Sequence, residues 1–303
     1  MKIGITLPQA GEDDGHYPRY AEIRDAALGA EAEGFDSIWI MDHLLFQWDA
    51  AKPPIGVWEG MTILAALAEA TSRVELGALV LCTAFRNPAL LAKMATALDE
   101  VSDGRIILGL GAGWHQPEFD AFGYPFDHLA SRFEEAMAII LPLLREGKVD
   151  FTGAYERASG CVNLPSGPRA GGPPVLLGTQ GPRLLRLAAR EADAWNACWL
   201  GRASELPEKL APMQAACAEV GRDPQTLTLT VGQVVTFREV ADGVEFPGGT
   251  ERFTFADPAD LAEEWRRFTA EGVEHIIIWD MPATPRTHAL VVEALHRYRG
   301  MAS

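Results

Sequence analysis

Two short stretches of this chain hold residue types that could do chemistry. The first is Asp42-His43. Histidine titrates near neutrality and can take, give or relay a proton. In an extended segment Asp42 points to the opposite face, so the two side chains need not touch. The plainer reading is a buried aspartate holding a loop and a histidine bonded without proton transfer. The second stretch is Gly178-Thr179-Gln180-Gly181-Pro182, where an apolar run ends and a helical pattern begins. N–H groups at a helix start lack partners and carry the positive end of the dipole. They attract anions, most often phosphate. A tight turn that merely needs glycine is the alternative.

A third stretch, Gly109-Leu110-Gly111-Ala112-Gly113-Trp114-His115, leaves a strand almost without side chains. Glycine at Gly111 and Gly113 lets a flat ligand lie against the backbone. Trp114 then lines the pocket, and dense packing is the competing explanation. His43 and Trp114 are the candidate catalytic residues. Asp42, Cys82, Gly111, Gly113 and Gly178 to Pro182 are candidate cofactor contacts. Gln9, Trp48, Trp58, His115 and Trp199 are candidate substrate-pocket residues.

These groups need a scaffold that brings distant segments to one end. Apolar runs recur at Lys2–Pro8, Ser37–Asp42, Val74–Cys82, Arg105–Gly113, Pro174–Gln180, Ala194–Trp199, Leu227–Phe237 and His275–Pro282. They are continuous, not alternating, as expected for strands covered on both faces. Helical repeats lie between them: Leu91, Met94, Leu98 and Val101; Phe133, Met137, Ile140 and Leu144; Leu261, Trp265 and Phe268; Val291, Leu295 and Tyr298. Proline opens helices at Pro88, Pro182, Pro258 and Pro285. Glycine closes them at Gly34, Gly104, Gly147, Gly221, Gly272 and Gly300. Eight such units predict a (β/α)8 TIM barrel, an α/β fold, spanning 1–303 as one domain. A doubly wound sheet fits less well, because no early GxGxxG is present. An insertion at 147–173 separates the fourth helix from the fifth strand. The loop His43–Val57, with Trp48 and Pro53-Pro54, reads as part of a pocket wall. In a barrel, chemistry sits where strands end, which selects the residues named above.

Composition narrows the function further. A net charge of −16 without a basic run argues against nucleic acid or an anionic membrane as partner. It also leaves any phosphate to local backbone donors. No stretch approaches a membrane span or a signal peptide. Cys82, Cys161, Cys198 and Cys217 form no CxxC pair and read as reduced thiols in the cytoplasm. The first strand ends Leu7-Pro8-Gln9 without HxH, which disfavours a metal hydrolase, so no metal is expected. No GxSxG is present for a serine hydrolase.

Four segments together carry a resemblance. They are Gly34-Phe35-Asp36-Ser37-Ile38-Trp39-Ile40-Met41-Asp42-His43, Arg86-Asn87-Pro88-Ala89-Leu90-Leu91-Ala92-Lys93, Ser102-Asp103-Gly104-Arg105 through Gly113-Trp114, and Gly178 through Asn196. In this order they resemble the bacterial luciferase-like superfamily, nearly end to end. Within it the chain is most similar to the coenzyme F420-dependent oxidoreductases. The resemblance implies a deazaflavin across the barrel mouth, its phosphate near Gly178–Gly181. Asp42 and His43 would sit beside the rings. A non-prolyl cis peptide at Leu79-Val80 would bulge against them. It implies hydride transfer to or from a small organic substrate, with His43 as proton relay, and a homodimer. The phosphate loop has fewer glycines than is usual. Trp114 stands where sugar-phosphate dehydrogenases of the group place a catalytic acid, which leaves the proton donor unassigned. An FMN-dependent monooxygenase is the alternative, and a non-catalytic flavin-binding protein the second.

Overall fold

A computed structural model describes residues 1–11, 15–244 and 249–300. Eight parallel strands close into a barrel: Lys2–Thr6, Ser37–Ile40, Glu75–Ala78, Ile106–Gly111, Val175–Leu177, Ala194–Leu200, Thr228–Phe237 and His275–Asp280. Each pairs with the next, and His275–Asp280 returns to Lys2–Thr6. The (β/α)8 expectation therefore holds. The last three residues of the 1–303 unit lie outside the described residues.

Burial explains the order. Ile3, Ile5, Ile38, Leu76, Ile106 and Ile276 face the surrounding helices and are enclosed. Those helices return Phe133, Met137 and Ile140, and Leu261, Trp265 and Phe268, all buried as their spacing implied. One stripe differs. Between Pro88 and Val101 the enclosed residues include Leu91, Ala92, Ala95 and Leu98, whereas Val101 is exposed. Leu91 and Leu98 of the expected stripe thus face inward beside two small alanines, Met94 packs partly buried against the core, and Val101 lies outside. All four helix-opening prolines stand at the first helical residue.

Two interruptions bear on the site. The third run, expected as one strand over Val74–Cys82, is split into Glu75–Ala78 and Leu81–Cys82. The break is Leu79-Val80, whose peptide is cis, as the resemblance implied. The insertion is an antiparallel hairpin, Lys148–Thr152 with Arg157–Val162. Among the described residues, no helix is long and apolar enough to cross a membrane.

Candidate active site

The loops that leave the strands' C-terminal ends gather the polar groups. Asp42 lies just past the second strand with its carboxylate enclosed. Arg86 grips it with two bonds, Nη1 to Oδ2 at 2.7 Å and Nη2 to Oδ1 at 2.8 Å. The Cys82 N–H adds a third at 2.8 Å, and Arg86 also donates to Glu59. Both oxygens of Asp42 are therefore occupied. The residue ties the end of the second strand to the third. The paired carboxylates also hold the Arg86 guanidinium above its ordinary pKa, despite the opposing effect of burial.

His43 has a different partner. Its Nδ1 lies 2.9 Å from Oε1 of Glu118, and the other Glu118 oxygen accepts the Leu44 N–H at 2.8 Å. The Glu118 side chain is 2% exposed and that of His43 is 16% exposed. An ionised carboxylate only accepts, so it places the ring proton on Nδ1 and leaves the Nε2 lone pair available. Nε2 has no hydrogen-bond partner among the described residues. An imidazole oriented by a carboxylate, with one face open, can move a proton at a bound molecule.

His115 is placed for another task. It is buried, and its Nε2 accepts the Gln47 backbone N–H at 3.0 Å. Burial pushes its pKa down, against the pull of Glu118. A neutral acceptor of this kind anchors the loop rather than carrying protons. That loop forms a small hairpin, Leu45–Phe46 with Ile55–Gly56. Trp48 stacks on Phe46 at 5.4 Å and lies 5.7 Å from Trp114. Trp114 meets His43 edge-on at 5.5 Å. Gln9 is a strut: it accepts the Met41 N–H at 2.9 Å and donates to the Trp58 carbonyl. Trp58 itself is pinned through Nε1 to the Pro18 carbonyl. Trp199 lies apart from this group, against Gly232 and 5.5 Å from Trp279.

The glycines have a reason that spacing alone does not reveal. A Cβ on Gly111 would stand 2.6 Å from Val80 Cγ2, and one on Gly178 would stand 2.9 Å from Val80 Cγ1. A Cβ on Gly109 would meet the Ala78 carbonyl oxygen at 2.0 Å. These positions thus make room for the chain's own third-strand turn. A ligand there meets Val80 instead of bare glycine. Gly113 is filled by Phe119 and by Cys82 Sγ. Burial, with Asp42 and Glu118 nearby, pushes the Cys82 thiol up to about 12, so it stays protonated.

Three residues past Gly178, Gly181 (φ 81°) precedes the helix Pro182–Glu191. No side chain caps this helix, and a Cβ on Gly181 would meet nothing within 4 Å. Uncapped N–H donors facing open space suit a phosphate. Thr179 is turned inward, its carbonyl accepting from Trp195 Nε1 at 3.0 Å. Gln180 is exposed, with a long bond of 3.4 Å to the Cys198 carbonyl. Arg183, one residue into the helix, is held by Glu134 and Ser131. The residues present thus fit a phosphate-bearing ring cofactor: backbone donors at the helix start, the apolar Leu79-Val80 turn on which Gly178 packs, and His43.

Residues 1–245 match the family model described as luciferase-like monooxygenase. A phthiodiolone/phenolphthiodiolone dimycocerosates ketoreductase from Mycobacterium sp. (strain JLS) is 31% identical over 236 residues. The match covers 72% of this chain but only 62% of that relative, less than two thirds of its length. Among solved structures, an F420-dependent secondary alcohol dehydrogenase in complex with an F420-acetone adduct superposes with a TM-score of 0.80 at 19% identity. The match covers 98% of this chain and 99% of that one. A riboflavin lyase with modified FMN and riboflavin gives 0.79 at 14% identity, covering 99% of this chain and 92% of that one.

Proposed function

This chain belongs to the luciferase-like monooxygenase family, and from that premise we propose that it is an F420-dependent oxidoreductase acting on a small carbonyl compound or the matching alcohol. The observation that carries the reading is the His43–Glu118 pair, an oriented imidazole with Nε2 free at the mouth. A ketoreductase and an F420-dependent alcohol dehydrogenase among the similar proteins support the reaction class.

When bound, the deazaflavin supplies or accepts a hydride at its central ring. The N–H groups of Gln180, Gly181, Arg183 and Leu184, on either side of Pro182, would hold its phosphate. Leu79 and Val80 would support the ring, and Asp42 with Arg86 fixes the ends of the second and third strands. In the reducing direction His43, first protonated at Nε2 from solvent, would give that proton to the substrate oxygen as the carbon gains the hydride. In the oxidising direction it takes that proton back. Glu118 orients the ring and stabilises the imidazolium. The cytoplasm and a homodimer complete the proposal. Its test is anaerobic oxidation of reduced deazaflavin by a ketone, lost in His43→Ala. A second reading, an FMN-dependent monooxygenase, is favoured by the family model's own description. Oxygen uptake with reduced FMN would select it.

A further inference from the structure

Building on the proposed carbonyl reaction, we propose that the substrate is an uncharged aryl ketone, or its alcohol, with the aromatic ring laid against Trp48 and Trp114. The two indoles are among the most exposed large apolar side chains, Trp48 at 68% and Trp114 at 57%. They are also continuous: Phe46 lies 4.4 Å from His43, Trp48 stacks on Phe46, and Trp114 closes the other side of His43. An apolar surface held open at a reactive group marks a binding wall more readily than a fold element.

The wall is built rather than loose. His115 accepts from the Gln47 backbone, and Gln47 Nε2 ties the loop through the Asp49 and Lys52 carbonyls. These bonds fix the backbone on both sides of Trp48 while its ring faces solvent. Flat aromatic surfaces favour a flat aromatic partner, offset-stacked or edge-on. The charges beside His43 offer an anion no available cation, and the nearest cation in sequence lies out on the hairpin. Glu118 sits behind His43, and Arg86 is already bound by Asp42 and Glu59. Lys52 stands four residues beyond Trp48, on the exposed hairpin segment.

Binding is measured by ligand-observed NMR on the purified full chain, with no turnover required. The probes are acetophenone, acetone, 4-carboxyacetophenone and 4-(trimethylammonio)acetophenone. Acetophenone is expected to bind about tenfold tighter than acetone, the effect of one good aromatic pair. Trp48→Ala and Trp114→Ala are each expected to shrink that ratio toward one, with the melting temperature checking the fold. Overturning results are a ratio unchanged in both variants, or carboxylate or trimethylammonium probes binding more tightly than acetophenone. The second of these would mean a charge-recognition site, anionic or cation–π. If the ratio behaves as expected but no ketone oxidises reduced deazaflavin, the carbonyl reaction fails while the aryl wall stands.

Discussion

Replacing Glu118 by glutamine removes a charge while keeping the shape. The carboxylate serves two donors, His43 Nδ1–H at 2.9 Å and Leu44 N–H at 2.8 Å. Glutamine has only one acceptor oxygen for them. If the oxygen stays on Leu44, the new NH2 group faces Nδ1 and drives the ring proton to Nε2. The histidine is then in the wrong tautomer to take a proton from an alcohol. The electrostatic loss adds to this. Two unit charges about 4 Å apart attract by about 4 kcal/mol at an effective dielectric of 20. That support for the imidazolium is worth about 10³ in rate if the charge is fully formed at the barrier. The expected result in single-turnover oxidation of an alcohol is a fall of about 10² to 10³, with cofactor affinity unchanged. Turnover within about threefold of the parent would refute the pairing as functional. A parallel loss of cofactor binding would mean the buried carboxylate holds the fold instead.

Other consequences follow from the same geometry. Arg86→Ala leaves Asp42 enclosed and unpaired, and is expected to cost about 3–5 kcal/mol in denaturant unfolding; a loss under about 1 kcal/mol contradicts the clamp. Gly111→Ala forces a methyl against Val80, at a cost of about 1–3 kcal/mol, and displaces the turn that supports the cofactor. Weaker cofactor binding is its second readout, and unchanged affinity would separate the turn from the site. Burial, reinforced by Lys2 and the N-terminal amine, holds His275 down to about 3, so it folds neutral. Below about pH 6.5 the unfolded chain binds a proton there that the folded chain refuses, and stability falls with acid. Burial holds Asp280 up to about 6, against the pull of His288. Between about pH 6 and 4 the folded chain binds that proton first, and stability rises with acid. The two slopes oppose each other, so Asp280→Asn is expected to steepen the loss of stability from pH 6 to 4. An unchanged slope in urea unfolding rejects the assignment.

Much of the scaffold was legible because its signals are local. Proline at a helix start acts within one turn, and a strand covered on both faces must be apolar throughout. What the one-dimensional reading missed is long-range. Nothing near Asp42 announces Arg86, 44 residues later, as its partner. His43 finds Glu118 across 75 residues, and no local signal pairs the two. The glycines were read as space for a ligand, yet Val80, from another strand, occupies much of that space. Register between strands decides such contacts, and a single sequence carries no record of it. His115 reads as a substrate-pocket residue in sequence, and only its buried bond to Gln47 reveals a loop anchor.

The most direct measurement sets the two cofactors against each other on one preparation. Under anaerobic conditions, reduced deazaflavin is mixed with protein and acetophenone and the cofactor's oxidation is followed. In parallel, reduced FMN is mixed with protein in air and oxygen uptake is recorded. The expected result is stoichiometric, ketone-dependent oxidation of the deazaflavin that disappears in His43→Ala, with no protein-dependent oxygen uptake. Tight FMN binding with oxygen consumption, and no binding of the deazaflavin, would contradict the central claim.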